Sequence, residues 1–349
     1  MSSGADVTYW LTIAGIPILA AALCAGILIA LLPWLKSHAL AQPIARSSHR
    51  EPTPQGGGLG VIISTFCVVW LAATTTMAVP QSTLAQLSAL TGAVALLALI
   101  GLFDDMRGLP PAPRLLVQCL AVGLILMMLP SDARLFSALP LWLERACVLL
   151  LGVWFVNLVN FMDGVDWMTV AETVPITGTI AVLGLAGVVP PLATVVALAL
   201  FGAILGFAPF NRPVAGLFMG DVGSLPVGLV LGWLVLLLGF NGYHAAALLL
   251  PLYYLADTTI TLLLRIARRE PFWEAHRSHF YQRAVAGGLT VPQVVTRVFG
   301  TNVALAILAM VSVAAGSTMV SLLCLSCGAA LVGILLAHFA KARLAEARP

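Results

Sequence analysis

Carboxylates and amides are concentrated in three short segments of an otherwise apolar chain. Asp104 and Asp105 are adjacent, and Asp221 follows the aromatic residue Phe218 by three positions. Between them lies a segment in which polar residues recur at every third position: Asn157, Asn160, Asp163 and Asp166. Neighbouring carboxylates repel each other and persist mainly where a cation compensates them. A hard divalent metal ion with phosphate oxygens would do so, and the three segments therefore predict a phosphate-handling site.

Each of these segments also has a structural interpretation, which the sequence leaves open. The adjacent aspartates could be solvated acids at a helix end, and the 157–166 segment could be a hydrogen-bonded network between helices. Asp221 is suited to be a helix N-cap, with Ser224 one turn further on. The glycines on either side of Asp221 argue for more than capping, because they would make room for a ligand or a metal beside the carboxylate. An aromatic side chain at Phe218 would stack on a planar base.

Two further loops carry groups that suit phosphates. The first contains His49, two prolines and the run Gly56–Gly58. The glycines let the backbone approach a ligand, and unpaired N–H groups at a helix start suit anions. The later loop holds histidines and arginines suited to a sugar phosphate or pyrophosphate: His276, Arg277, His279 and Arg283. The respective alternatives are a helix-start turn with packing glycines and a basic patch that binds anionic lipid.

The chain that must position these groups has 349 residues, of which 60% are hydrophobic and 9% are charged. A soluble protein has about a quarter of its residues charged, so the composition indicates a membrane protein. Apolar runs long enough to cross a hydrocarbon core as helices recur along the whole length. We predict an all-α polytopic membrane protein, with residues 1–349 forming one transmembrane domain. About eleven spans are predicted, near 11–35, 59–79, 84–103, 115–130, 140–158, 169–188, 190–208, 222–240, 244–264, 298–315 and 318–340.

The basic residues predict the orientation, because they favour the cytoplasmic ends of membrane helices. With the N-terminus outside and the C-terminus in the cytoplasm, only Arg134 and Arg145 lie on the outer side. Function is therefore predicted on the cytoplasmic face of the lipid bilayer, and the net charge of +3 gives no indication of a nucleic-acid partner. This arrangement places every polar segment in cytoplasmic loops, near 36–58, 104–114, 157–168, 209–224 and 265–297.

In combination and order, these motifs resemble the polyprenyl-phosphate N-acetylhexosamine-1-phosphate transferases, which start cell-wall and surface-polysaccharide lipids. The resemblance spans nearly the whole chain. It rests on five segments: Pro52–Pro54 with Gly56–Gly58, Asp104–Asp105, Asn157–Asp166, Phe218–Ser224 and His276–Arg283. It implies that a UDP-linked N-acetylated amino sugar and a polyprenyl phosphate, usually undecaprenyl phosphate, react to give a lipid-diphospho-sugar and UMP. It also implies Mg²⁺, with Mn²⁺ as an alternative, and a place in the bacterial cytoplasmic (inner) membrane; a homodimer is left open.

The resemblance also implies roles for individual residues. Asp221 and one residue of the Asp104–Asp105 pair, with Asp104 as the first choice, are predicted to hold the metal. The other aspartate of the pair would orient or deprotonate the lipid phosphate. Four carboxylates are predicted to be catalytic: Asp104, Asp105, Asp163 and Asp166. The residues predicted to bind substrate are His49, Asn157, Asn160, Phe218, which matches an aromatic against uracil, and His276, Arg277, His279 and Arg283.

Some features separate this chain from neighbouring families and functions. The branch that makes the first peptidoglycan lipid has a lysine soon after the aspartate pair and consecutive histidines in the late loop. Neither is present here, so the chain resembles the branch that initiates O-antigen or similar surface glycans. The runner-up is a transporter of anionic solutes, which the intramembrane carboxylate Asp257 would suit. Asp257 could equally be a structural partner, and no internal repeat of the kind found in transporters is seen.

Overall fold

A computed structural model describes residues 3–41, 52–76, 79–271 and 276–342. Within these ranges the protein consists of thirteen α-helices, one short 3₁₀ helix (Gln81–Thr83) and one two-stranded antiparallel sheet. The strands are β1 (Leu40–Ala41) and β2 (Thr53–Pro54). The helices are α1 (Ser3–His38), α2 (Gly58–Thr75), α3 (Leu84–Arg107), α4 (Pro111–Met127), α5 (Leu141–Met162), α6 (Met168–Leu185), α7 (Pro191–Phe207), α8 (Asp221–Phe240), α9 (His244–Leu249), α10 (Leu252–Ala267), α11 (Phe280–Ala286), α12 (Val291–Ala315) and α13 (Thr318–Ala342).

The predicted all-α polytopic fold is confirmed. Eight of the helices in the described ranges are long and apolar enough to cross a membrane, and α4 and α7 are shorter apolar helices. Each predicted span coincides with helical residues, whereas the count of eleven and the orientation stay predictions. The ninth span differs from a single continuous helix. Its helix ends at Leu249 and α10 begins at Leu252, after Pro251, which has no N–H group to continue the helical hydrogen bonding.

Two central helices, α7 and α8, organise the core. α7 packs against α1, α2 and α6, while α8 packs against α3, α5 and α2. Both are apolar nearly all round and largely buried, as expected for helices enclosed by others. Small residues bring α7 close to α1: a Cβ atom at Gly202 would lie 2.1 Å from the carbonyl oxygen of Pro17. Close backbone approach through glycine is a common way to pack membrane helices.

The same device brings α2 and α3 against the first turn of α8. A Cβ atom at Gly58 would lie 2.1 Å from Cα of Gly223, and one at Gly101 would lie 2.3 Å from the carbonyl oxygen of Asp221. Neither position therefore accommodates a side chain. The start of α2 and the end of α3 consequently meet at the start of α8, which places the Asp104–Asp105 pair there.

The small sheet attaches the loop before α8 to the rest of the protein. β1 and β2 pair with Leu40 opposite Pro54. The strand direction continues in Gln55, which forms a parallel bridge to Phe218, and the Phe218 N–H group donates to the Pro54 carbonyl at 2.8 Å. These contacts fix Phe218 near the start of α8, where Asp104, Asp105 and Asp221 lie. We call this part of the protein the carboxylate region.

The opposite end of the bundle holds a buried carboxylate of a different kind. Glu144, in the first turn of α5, is 0% exposed. One of its oxygens accepts the backbone N–H groups of Leu135 at 2.5 Å and Phe136 at 3.3 Å, and the other accepts the guanidinium of Arg134. Its hydrogen-bonding capacity is matched by groups of the protein itself.

Candidate active site

The side chain of Asp105, in the last turn of α3, closes the N-terminus of α8. One of its oxygens accepts the N–H group of Asp221 at 2.9 Å, and the other accepts that of Val222 at 3.0 Å. The N-cap position itself is Gly220, which has a φ of +75° and no side chain. The interpretation of Asp221 as the N-cap is therefore wrong. A carboxylate from another helix satisfies the free N–H groups of this helix start.

Asp104 and Asp221 lie on either side of one arginine. Nη1 of Arg114 is 2.6 Å from the Asp104 carboxylate, and Nη2 is 3.7 Å from that of Asp221. The second Asp104 oxygen accepts the Leu109 N–H group at 2.6 Å. Sequence reasoning missed Arg114 as a site residue and assigned it only to a cytoplasmic loop. The short turn at Gly108–Pro110 could have indicated this role, because it brings the first turn of α4, which carries Arg114, back to the end of α3.

The two amides of α5 have different partners. Nδ2 of Asn160 donates to Asp221 and to the Ser224 hydroxyl, both at 2.8 Å, and so belongs to the carboxylate region. Asn157 instead exchanges hydrogen bonds with Gln118 of α4, at 2.6 and 3.3 Å. Residues three apart on a helix diverge by about 60°, which is enough to direct the two amides toward different neighbours. Of the two amides predicted to bind substrate, Asn160 therefore contacts a site carboxylate, whereas the substrate role of Asn157 stays a prediction.

Asp163 follows the end of α5 and accepts a hydrogen bond from the Thr169 hydroxyl. Burial raises the pKa of Asp163 to about 7, and the carboxylates of Asp105 and Asp166 act in the same direction, against the lowering effect of the Thr169 hydrogen bond. A carboxyl group with such a pKa can exchange a proton near neutral pH. Asp166, which is 5% exposed, accepts the Ala215 N–H group at 3.0 Å and ties the α5–α6 turn to the loop before α8.

A cleft of about 210 Å³ lies at the N-terminus of α8. Its walls include five of the predicted carboxylates or amides and the predicted base-stacking aromatic: Asp105, Asn160, Asp163, Asp166, Asp221 and Phe218. Gln55 also lines it, and its Nε2 donates to the Asp105 carbonyl at 2.7 Å. No local sequence pattern indicated a role for Gln55, because that role depends on the sheet that carries it.

The glycine-rich loop has a packing role. The N–H groups of Gly57 and Gly58 donate to the carbonyl oxygens of Phe218 at 2.8 Å and Met219 at 2.9 Å. The expectation of unpaired N–H groups for an anion is wrong at these two positions, because the loop before α8 already uses them. His49, which was predicted to bind substrate, lies outside the described residues.

Asp257 contacts the segment 276–279, which we call the histidine loop. Nδ1 of His279 lies 3.2 Å from the Asp257 carboxylate, and the His276 ring lies 5.0 Å from the His279 ring. His276 and His279 precede α11 and do not lie in a helix. The guanidinium of Arg283 lies 5.4 Å from the ring of an aromatic residue in α11, while Arg277 is exposed.

The site combines converging carboxylates, an arginine between two of them and an aromatic wall, and the predicted topology places it on the cytoplasmic side. This geometry is that of a membrane enzyme that handles phosphates. Residues 87–239 match the family model of glycosyl transferase family 4. The chain is 27% identical to the probable undecaprenyl-phosphate N-acetylglucosaminyl 1-phosphate transferase of Bacillus subtilis over 73% of this chain and 72% of that protein.

Two other relatives extend the comparison. The chain is 32% identical to the decaprenyl-phosphate N-acetylglucosaminephosphotransferase of Mycolicibacterium smegmatis, over 56% of this chain and 52% of that protein. It is 29% identical to the phospho-N-acetylmuramoyl-pentapeptide-transferase of Limosilactobacillus reuteri, over 60% of this chain and 68% of that protein. These matches support the polyprenyl-phosphate hexosamine-1-phosphate transferase family that the motifs predicted.

Proposed function

We propose that this protein transfers an N-acetylhexosamine 1-phosphate from a UDP-sugar to a polyprenyl phosphate, giving a lipid-diphospho-sugar and UMP. The observation that carries the proposal is the convergence of Asp104, Asp105, Asp163 and Asp221 from three segments at the start of α8. Within the described ranges, Arg114 is the one basic side chain that forms an ion pair with any of these four. Such an excess of negative charge suits a bound cation together with phosphates.

Mg²⁺ is the proposed cofactor, and the chemistry of the donor set fits it. In the part of the chain that the structure describes, no three His, Cys, Asp or Glu side chains form a ready-made metal site. Mg²⁺ is commonly bound by one or two carboxylates together with substrate phosphates, so Asp104 and Asp221 would hold it once the donor is present. When bound, the ion would neutralise charge on the pyrophosphate.

The remaining work of the site is positioning. A phosphate monoester has a second pKa of about 6, so the lipid phosphate is mostly ionised near pH 7 and needs little help from a base. Arg114 would attract the donor phosphates, and Asp105 fixes Asp221 by holding the start of α8. Asn160 orients the Asp221 carboxylate. Phe218 would lie against uracil. Bringing the two anions together in this geometry is then the main contribution to the rate.

We propose further that the active site faces the cytoplasm of the bacterial inner membrane and that the product initiates a surface polysaccharide. The partition of arginines supports the orientation. The absence of a lysine soon after the aspartate pair, and of consecutive histidines in 276–283, favours this branch over the peptidoglycan branch. UDP-N-acetylglucosamine is the first donor to test, because the Bacillus and Mycolicibacterium relatives carry N-acetylglucosamine in their names.

The test is a donor panel with the purified full chain in detergent or liposomes. Radiolabelled UDP-GlcNAc and UDP-GalNAc are incubated with undecaprenyl phosphate, with Mg²⁺, with Mn²⁺ or with EDTA. We expect labelled lipid and equimolar UMP with at least one donor, and loss of both with EDTA. Absence of lipid product from every donor, together with uptake of an anionic solute into liposomes, would favour the transporter instead. Light scattering of the same sample tests the homodimer.

A further inference from the structure

We infer that Asp257 is a positioning residue that fixes the histidine loop, and with it recognition of the sugar-diphosphate part of the donor. The inference rests on the proposed function. Asp257 lies in α10 and is 0% exposed. Five groups of the protein lie within hydrogen-bonding distance of its two oxygens: the Tyr253 hydroxyl, the Thr261 hydroxyl, Nδ1 of His279, and the N–H groups of Phe280 and Tyr281.

The two backbone contacts show what the carboxylate holds. The N–H groups of Phe280 and Tyr281, at 3.0 and 3.2 Å, belong to the first turn of α11. A carboxylate of another helix thus satisfies this helix start, as Asp105 does for α8. A buried charge is costly unless it is fully hydrogen-bonded, and moving α11 would break these contacts together. The position of α11 is therefore coupled to Asp257.

The histidine contact determines the role of His279. A carboxylate only accepts hydrogen bonds, so Nδ1 of His279 carries the proton that faces Asp257. The His279 side chain is 3% exposed, which makes it a support within the protein interior and leaves it little surface for a ligand. The His276 ring packs on it at 5.0 Å and is more exposed, as is Arg277. The contacts with the donor are accordingly assigned to His276 and Arg277.

The helix that Asp257 anchors lies directly against the carboxylate cleft. The Tyr281 hydroxyl donates to the carbonyl of Phe161 at 3.1 Å, and a Cβ atom at Gly164 would lie 2.1 Å from the same hydroxyl oxygen. Gly164 lines the cleft next to Asp163. Asp257 therefore determines the distance between the histidine loop and the carboxylates, which is the distance that a sugar diphosphate must span.

Glu144 provides a matched control for this inference. It is also 0% exposed and accepts two backbone N–H groups and one basic side chain, but at the other end of the bundle. Glu144→Gln and Asp257→Asn both weaken a buried carboxylate contact. A purely structural role for Asp257 would make the two variants behave alike once the fraction of folded protein is taken into account.

The experiment measures kcat and KM for UDP-GlcNAc, or for the donor that the panel selects, and KM for undecaprenyl phosphate, with thermal unfolding as the folding control. The variants are Asp257→Asn, His279→Gln, the double variant and Glu144→Gln. We expect each of the first two to raise the donor KM by about tenfold, the range seen when a supporting hydrogen bond is removed. The double variant should add little to either, because the two residues act as one unit. The KM for the lipid should stay near that of the wild type.

Three outcomes would overturn the inference: an unchanged donor KM in Asp257→Asn, additive effects in the double variant, or an equal rise of donor KM in Glu144→Gln. Should Asp257→Asn fail to fold, Tyr253→Phe removes one donor to the carboxylate and keeps the ring, and it should raise the same KM by a smaller factor. Failure of the proposed function appears differently, as wild-type protein that makes no lipid product from any donor. Calorimetric binding of UDP-GlcNAc to wild type and Asp257→Asn then still tests the positioning role.

Discussion

Buried or half-buried carboxylates lie at both ends of α5, but they differ in how fully donors and basic side chains of the protein pair with them. Glu144, at the start of the helix, is matched by Arg134 and two backbone N–H groups. At the other end, 19 residues on and so about 28 Å away at 1.5 Å per residue, Asp163 lies beside the carboxylates of α3 and α8, for which Arg114 is the one ion-pair partner in the described ranges. Protein groups complete the first site, whereas the second has capacity left for a cation and phosphates.

Asp221→Asn most directly tests the carboxylates near the Asp163 end of α5, and it should have the largest effect on activity. Removing one charge from the proposed metal site should lower kcat by about 10²–10³-fold, because interactions with developing charge in the transition state are lost. Transfer assays over a Mg²⁺ titration provide the measurement. Near-normal Mg²⁺-dependent release of UMP would contradict the assignment of Asp221.

Gly220→Ala tests whether the α8 start tolerates any displacement. A Cβ atom there would lie 2.6 Å from Oδ2 of Asp105, and the residue has a φ of +75°. We expect activity to fall by about 10- to 100-fold, the size of effect that small misplacements in a site produce. Gly242→Ala is the control: it has a φ of +86° in the turn after α8, with nothing within 4 Å of its Cβ position. It should cost about 1 kcal/mol of stability and leave activity per folded protein unchanged.

Asn160→Ala and Asn157→Ala separate two residues that the sequence places in one motif. Asn160 contacts Asp221 and Ser224, so its loss should lower activity by about tenfold, as expected for a group that orients a ligand-binding carboxylate. Asn157 bonds Gln118, so its loss should act mainly on stability, by about 1 kcal/mol. Assays at equal amounts of folded protein distinguish the two. Equal losses of activity would place Asn157 in the site as well.

Glu144→Gln should have the smallest effect on catalysis. The variant removes the charge that Arg134 pairs with and keeps the size of the side chain. We expect the midpoint of thermal unfolding to fall by a few degrees, with kcat and both KM values near those of the wild type. A large change in kcat would mean that the two ends of α5 are coupled and that Glu144 is not confined to a structural role.

Much of the architecture could be predicted because hydrophobic length is a local property of the sequence. Apolar runs marked the helices, and the order of the motifs indicated the family. The break after Leu249 was missed, although Pro251 was visible, because a proline can kink a membrane helix or be accommodated within it. The distinct partners of Asn157 and Asn160 were missed because a spacing of three residues is compatible with one broad face or with two neighbouring helices.

The residue types at the site were determined by the sequence, but their partners were determined by the packing of helices. Asp105 caps α8 because Gly101 lets α3 approach the backbone of Asp221, and Asp257 holds α11 across 23 or more positions of chain. No local pattern specifies such contacts, since they depend on which helices are adjacent. The sequence by itself determined that carboxylates, arginines and histidines occur in predicted cytoplasmic loops of a membrane protein. The tertiary structure decided which carboxylates support helix starts and which remain for a cation, because that division depends on the donors each one meets.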